Sequence, residues 1–136
     1  MSVIIRNNYG AIAVNKGVIE RMIVEDMLGM NDALVLSNKK GKPIKEKPTP
    51  FIDPDYFDAI EVSDKKDQVK VKVYIVVKFG NNISETADRI FDAVEKDFAM
   101  LRLDKPAVIS VKVRGISGIM TDEIVKRNID IVRNNS

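Results

Sequence analysis

The chain has 136 residues, 45% of them apolar and 31% charged, with a formal net charge of +2. That length and balance suit one domain around one core and exclude a disordered chain, while the charge is too small to argue by itself for a nucleic-acid partner. There is no Cys and no His, which excludes disulfides, thiolate catalysis, Cys-based zinc sites, a Ser-His-Asp triad and the HExxH zinc motif.

Residues 1–6 lack the long apolar run of a signal peptide, and no stretch approaches the roughly 20 apolar residues that span a bilayer. Any membrane association is therefore expected to be peripheral or through a partner.

Tyr9-Gly10-Ala11-Ile12-Ala13-Val14 predicts a short strand entered through a glycine turn. Asn15 follows as an N-cap. Val18, Ile19, Met22, Ile23, Met27 and Met30 then trace one apolar stripe, which predicts a helix over residues 16–28. Gly29 offers its stop. Ala33-Leu34-Val35-Leu36 predicts a second strand.

Residues 39–58 differ in character. They hold four of the five prolines, and Lys39, Lys40, Lys42, Lys45 and Lys47 crowd their first half. Pro43, Pro48 and Pro50 remove backbone donors and disfavour helix. The segment reads as an exposed connecting loop, pinned to the body in its second half by Phe51, Ile52, Tyr56 and Phe57. Ile60-Glu61-Val62 then re-enters the sheet.

Residues 69–79 carry the sharpest pattern. Val69, Val71, Val73, Ile75, Val77 and Phe79 alternate with Lys70, Lys72, Tyr74, Val76 and Lys78, the mark of a long strand with one face on a core. Asn82 or Ser84 offers the N-cap of a second helix, and Asn82 with Glu85 resembles a capping box. Ala87, Ile90, Phe91, Val94, Phe98 and Leu101 then form a clean helical stripe. After Pro106, residues 107–114 predict a strand with Ile109, Val111 and Val113 inward, broken by Gly115 and Gly118. Thr121, with Asp122 and Glu123 in its first turn, opens a predicted final helix over residues 121–133 carrying Ile124, Val125, Ile129 and Val132.

These elements make an α+β fold in one domain over residues 1–136. It is a two-layer sandwich: a three- to four-stranded sheet with two helices packed on one face, split βαβ-like, plus a C-terminal helix.

Three segments together resemble the alkaline shock protein family of Gram-positive bacteria. They are residues 9–14 leading into a helix that ends Leu28-Gly29-Met30, residues 69–80 followed by Asn82-Ile83-Ser84-Glu85-Thr86-Ala87, and residues 108–115. The resemblance covers about residues 8–116. A lysine- and proline-rich stretch where the family is often glycine-rich, and Ser84 where it usually has Pro, mark a divergent member. The resemblance implies a cytoplasmic protein of the envelope stress response and envelope homeostasis, with no enzymatic activity and no cofactor. It also implies a homo-oligomer or a membrane-anchored protein partner.

No nucleophile, base and orienting group stand at recognisable spacing, so no catalytic residue is assigned. Asp53, Asp55 and Asp58 could hold a hard cation, yet they lack the EF-hand spacing, and ordinary Asp-Pro turn chemistry accounts for them. Lys39, Lys40, Lys42, Lys45 and Lys47 read first as a solvated loop and second as a contact for phosphates or an anionic membrane. Gly115-Ile116-Ser117-Gly118 has the GxxG spacing of a KH loop but not its basic centre or helical flanks, and is expected to be a turn. Lys70, Lys72 and Lys78, with Tyr74 and Val76 between them, form either a wet sheet face or a partner surface on which Tyr74 and Val76 supply apolar contact. A non-catalytic interaction protein is the leading expectation. A small nucleic-acid-binding module using the lysine loop and the sheet face is the alternative.

Overall fold

The computed structural model describes residues 2–7, 10–44, 54–65, 68–118 and 123–135, with only the backbone described for 2–7, 10–13 and 65. The elements run β1 (Ser2–Asn7), β2 (Gly10–Asn15), α1 (Lys16–Leu28), β3 (Leu34–Leu36), a 3-10 turn (Pro54–Ala59), β4 (Ile60–Lys65), β5 (Gln68–Lys78), α2 (Ile83–Met100), β6 (Val108–Ser117) and β7 (Ile124–Asn134). β1 and β2 form a separate antiparallel hairpin.

The alternating valines of β5 make it the centre of the main sheet, because a strand with a continuous dry face is stable only where other elements cover it. One edge of β5 pairs in parallel with β6. The other edge is shared end to end: β4 lies antiparallel to it from Gln68 to Val73, and β3 from Ile75 to Val77. β7 pairs antiparallel with the far side of β6 and ends the sheet. The sheet thus has five strands, not the three to four expected. β5 and β6 are direct parallel neighbours joined by α2, so this is an ordinary βαβ unit with no strand inserted between its parallel pair.

Both helices are capped as the sequence indicates. Asn15 Oδ1 accepts from the Gly17 amide at 2.8 Å and Asn82 Oδ1 from the Glu85 amide at 3.0 Å, each worth about 1 kcal/mol. The α2 stripe enters the interior with Ile90, Val94 and Phe98 fully covered. They meet Val71, Val73, Ile75 and Val77 of β5 and Ile109, Val111 and Val113 of β6 in one cluster. Each such side chain contributes roughly 1.5–3 kcal/mol on burial. In α1 the stripe is rotated slightly from the expected one: Val24 is buried and Val18 exposed. Phe79 is also exposed rather than inward, because β5 ends at Lys78 and the chain turns away through Gly80, whose φ is +91°.

The largest correction concerns residues 124–134, which form a strand and not a helix. Ile124, Val125, Ile129 and Val132 fit a helical wheel, but five of these eleven residues are Ile or Val, types that favour a pleated surface. Ile129 and Ile131 rest against the core. Arg133 then docks the strand on α2: its guanidinium lies 4.8 Å from the Phe91 ring centre and donates to Glu95 at 2.7 Å and Asp92 at 3.0 Å. These partners hold the Arg133 charge firmly, raising its pKa. Thr121 and Asp122 of the expected helix start lie outside the described residues.

Where α1 meets α2, two acids face each other. Asp97 is 5% exposed. One carboxyl oxygen each of Asp26 and Asp97 is buried with no donor among the described residues. Two facing carboxylates would repel, whereas one proton between them satisfies both oxygens. Burial, then the hydrogen bond and charge of Asp26, push the Asp97 carboxyl up to about 8. The pair therefore keeps a proton to a higher pH than a solvent-exposed carboxyl does.

Candidate interaction surface

The face of the sheet away from the helices is built by the even-numbered residues of β5 and their neighbours. Tyr74 pairs with Lys112 on β6, and Lys72 with Glu61 on β4. At the Ile75/Val76 step the β5–β6 register slips, and Arg114 is the extra residue on β6. A bulge of this kind re-aims a side chain. Arg114 lies 5.6 Å from the Tyr74 ring centre and reaches across to β7, donating to Asn128 at 3.2 Å and Asp130 at 3.3 Å. Lys112 stands 3.1 Å from the same Asp130 carboxylate. The Lys112 hydrogen bond, more than any other neighbour, holds the Asp130 carboxyl below the usual range.

Gly115 permits the close approach of β7 here. A Cβ at this position would lie 2.5 Å from Ile124 Cγ2 and 3.2 Å from the Val125 carbonyl oxygen. The Gly115-Ile116-Ser117-Gly118 tetrad is accordingly strand through Ser117, neither the expected turn nor a KH-type loop.

The first part of the lysine segment is folded onto this same face. The Ser37 amide donates to the Tyr74 carbonyl at 3.0 Å, and the Ile44 amide to the Leu36 carbonyl at 2.9 Å. Between them Asn38 organises a tight turn, its Oδ1 accepting from the Lys40 amide at 2.9 Å and the Lys42 amide at 3.0 Å. Gly41, with φ +85°, seats the turn against Arg114: a Cβ on it would lie 3.1 Å from Arg114 Cβ. Residues 37–44 are thus a structured cover, not a free loop.

The cover changes the reading of the outer face. Tyr74 is 7% and Val76 1% exposed, so they supply no open apolar contact area. Lys39 pairs with Glu61, and Lys72 lies 4.0 Å from the same carboxylate. Glu61 raises the Lys39 pKa through its hydrogen bond. Lys78 is half-buried and donates to the Asn31 carbonyl. Lys40, Lys42 and Lys70 project into solvent. Lys45, Lys47 and Asp53 lie outside the described residues. Asp55 and Asp58 are exposed on the 3-10 turn, and no cluster of three metal-ligating side chains occurs among the described residues.

Beyond the covered centre, β7 presents a free edge. No strand lies past it among the described residues. Its Val125 and Val132 are 50% and 52% exposed, and Lys126, Arg127 and Asn128 are exposed between them. The sequence reading missed Arg114, Asp130 and this edge together. The signal that would have found them is the β-branched content of residues 124–132, which the helical spacing masked.

A family model described as alkaline shock protein 23, cell envelope-related function, matches residues 5–120. The matched stretch ends before β7. No curated protein and no solved structure matches the chain.

Proposed function

The chain belongs to the alkaline shock protein 23 family, whose function is cell envelope-related, and from that premise we propose that it is a non-catalytic interaction protein of the envelope stress response. It acts by associating with copies of itself and with a membrane-anchored partner, and turns over no metabolite. Its place is the cytoplasm, peripheral to the membrane through that partner. No described helix is long and apolar enough to cross a membrane.

The observation that carries this reading is the open edge of β7. A run of unpaired backbone donors and acceptors is a template for another chain, and monomeric proteins commonly shorten, bend or cover it. Here the strand is eleven residues long, its register with β6 shifts once around Arg127 and Asn128, and no strand pairs with its far edge among the described residues. The same fold covers the centre of its outer face with residues 37–44, so protection is spent elsewhere.

A nucleic-acid module is less well supported. Single-strand binding uses exposed aromatic platforms interleaved with cations, and Tyr74 is held under its own loop and Arg114.

Light scattering of the purified chain over a range of concentrations tests the proposal. A mass of two or more chains that falls on dilution is expected. A monomer throughout, with salt-sensitive binding to RNA or DNA, would replace it with the nucleic-acid reading.

A further inference from the structure

We propose that two copies join edge to edge through β7, antiparallel about a two-fold axis at Asn128, extending the sheet from one protomer into the next. The inference rests on the self-association proposed above and adds to it the surface, the partner and the register.

The register follows from three constraints. First, β7 keeps one alternation across the shift in its register with β6 at Val113/Gly115, since Val125 pairs with Ile116 beside the buried Val77 and Lys126 with Gly115 beside Val76 of the outer face. Ile129, Ile131 and Arg133 face the helix layer, and Asn128 and Asp130 face the outer side, where Arg114 meets them. A continuous sheet that keeps both helix layers on one side must therefore centre its two-fold on a residue, so that outer side chains oppose outer ones. Second, like charges directly opposite each other disfavour a pair. Centring on Arg127 sets that residue against itself, and centring on Asp130 sets Arg127 against Arg133 and Asp130 against itself. Centring on Ile129 sets Lys126 against Val132 and Val125 against Arg133. Third, centring on Asn128 sets Lys126 against Asp130 twice by symmetry, Val125 against Ile131, and Ile124 against Val132. Arg127 against Ile129 is the one unlike pair, and the other charged and apolar side chains find complementary or like-natured partners in this isologous arrangement.

The side chains are available for this. Asp130 remains 48% exposed beyond Lys112 and Arg114, enough to accept an incoming Lys126. Val125 and Val132, among the most exposed large apolar side chains of the described residues, are both covered in this register. The edge lies past the residues matched by the family model, so it is read from this chain's own strand.

The absence of Cys from the chain makes the register directly testable. Directly opposed residues of antiparallel strands have Cα atoms about 4.5–5.5 Å apart, within disulfide reach, whereas diagonal neighbours are beyond it. Asn128→Cys is expected to form a covalent dimer with itself under mild oxidation. Lys126→Cys and Asp130→Cys should each fail alone and cross-link with each other when mixed. In parallel, Asp130→Lys should weaken association roughly tenfold or more, and the double change Lys126→Asp with Asp130→Lys should restore it. Both charge variants lose the contacts to Lys112 and Arg114, so rescue by the second reports the pairing across the interface and not the fold. A dimer in which Asn128→Cys stays unlinked and the double change rescues nothing overturns the register and leaves self-association standing. A chain monomeric at every concentration overturns both.

Discussion

β5 and β7 are both eleven residues long and lie in the same sheet with only β6 between them. Between Val71 and Val77 every residue of β5 except Lys72 is buried, whereas no residue of β7 is. Composition does not explain the contrast, since β5 contains three lysines and β7 five Ile or Val. Position does. β5 has strands on both edges, helices under one face and residues 37–44 over part of the other. β7 has one paired edge and one face partly covered by α2. A strand's dryness is thus set by its neighbours, and the border of the sheet is where surface remains for another molecule.

The sharpest way to break the comparison is to truncate equivalent apolar side chains on the two strands. Ile75→Ala, at the centre of the core, is expected to cost about 2–5 kcal/mol in denaturant unfolding. A cost near that of a surface change would mean that β5 is not the dry strand described.

The helix layer beneath β5 offers a pH test. The folded-state pKa of Asp97 lies above its unfolded value of 3.8, so the native chain holds a proton that the unfolded chain releases. The stability this provides is greatest below pH 3.8 and is lost as pH rises toward about 8. Across pH 7 to 8.5 the loss should be about 1 kcal/mol. Asp97→Asn keeps a donor to Asp26 without a titrating proton and should flatten that part of the profile. An unchanged slope would show that Asp97 is not the group responsible.

At the border, Arg133→Ala removes the stacking on Phe91 and the bonds to Asp92 and Glu95. It should cost about 1 kcal/mol, since partly exposed ion pairs and cation–π contacts are each modest. A smaller effect still is expected for Val132→Ala, within about 0.5 kcal/mol for the monomer. The same change should weaken association measurably if Val132 is covered in the dimer. Equal effects of Val132→Ala and Ile75→Ala on unfolding would erase the contrast between the strands.

Much of this was legible in the residues. The β5 alternation, the α2 stripe and the Asn15 and Asn82 caps each impose one local answer, and the structure keeps them. The re-entry at Ile60 was readable too, because short apolar runs next to a strong strand have few other places to go. Residues 124–134 were not. Their apolar spacing satisfies both periods, and only the pairing with β6 decides between them. The covering of Tyr74 was equally hidden, since it depends on Asn38 and Gly41 folding a turn back onto Arg114, a contact between residues more than seventy positions apart. The paired acids were invisible for the same reason: Asp26 and Asp97 lie on two separate helices that only the fold brings together.

Amide hydrogen exchange along β7, followed from dilute to concentrated protein, tests the claim that this edge is the associating surface. The amides of residues 124–132 that do not bond to β6 should exchange fast in the dilute monomer and become protected as association proceeds, in step with solution mass. Association that leaves those amides as fast as before would contradict it.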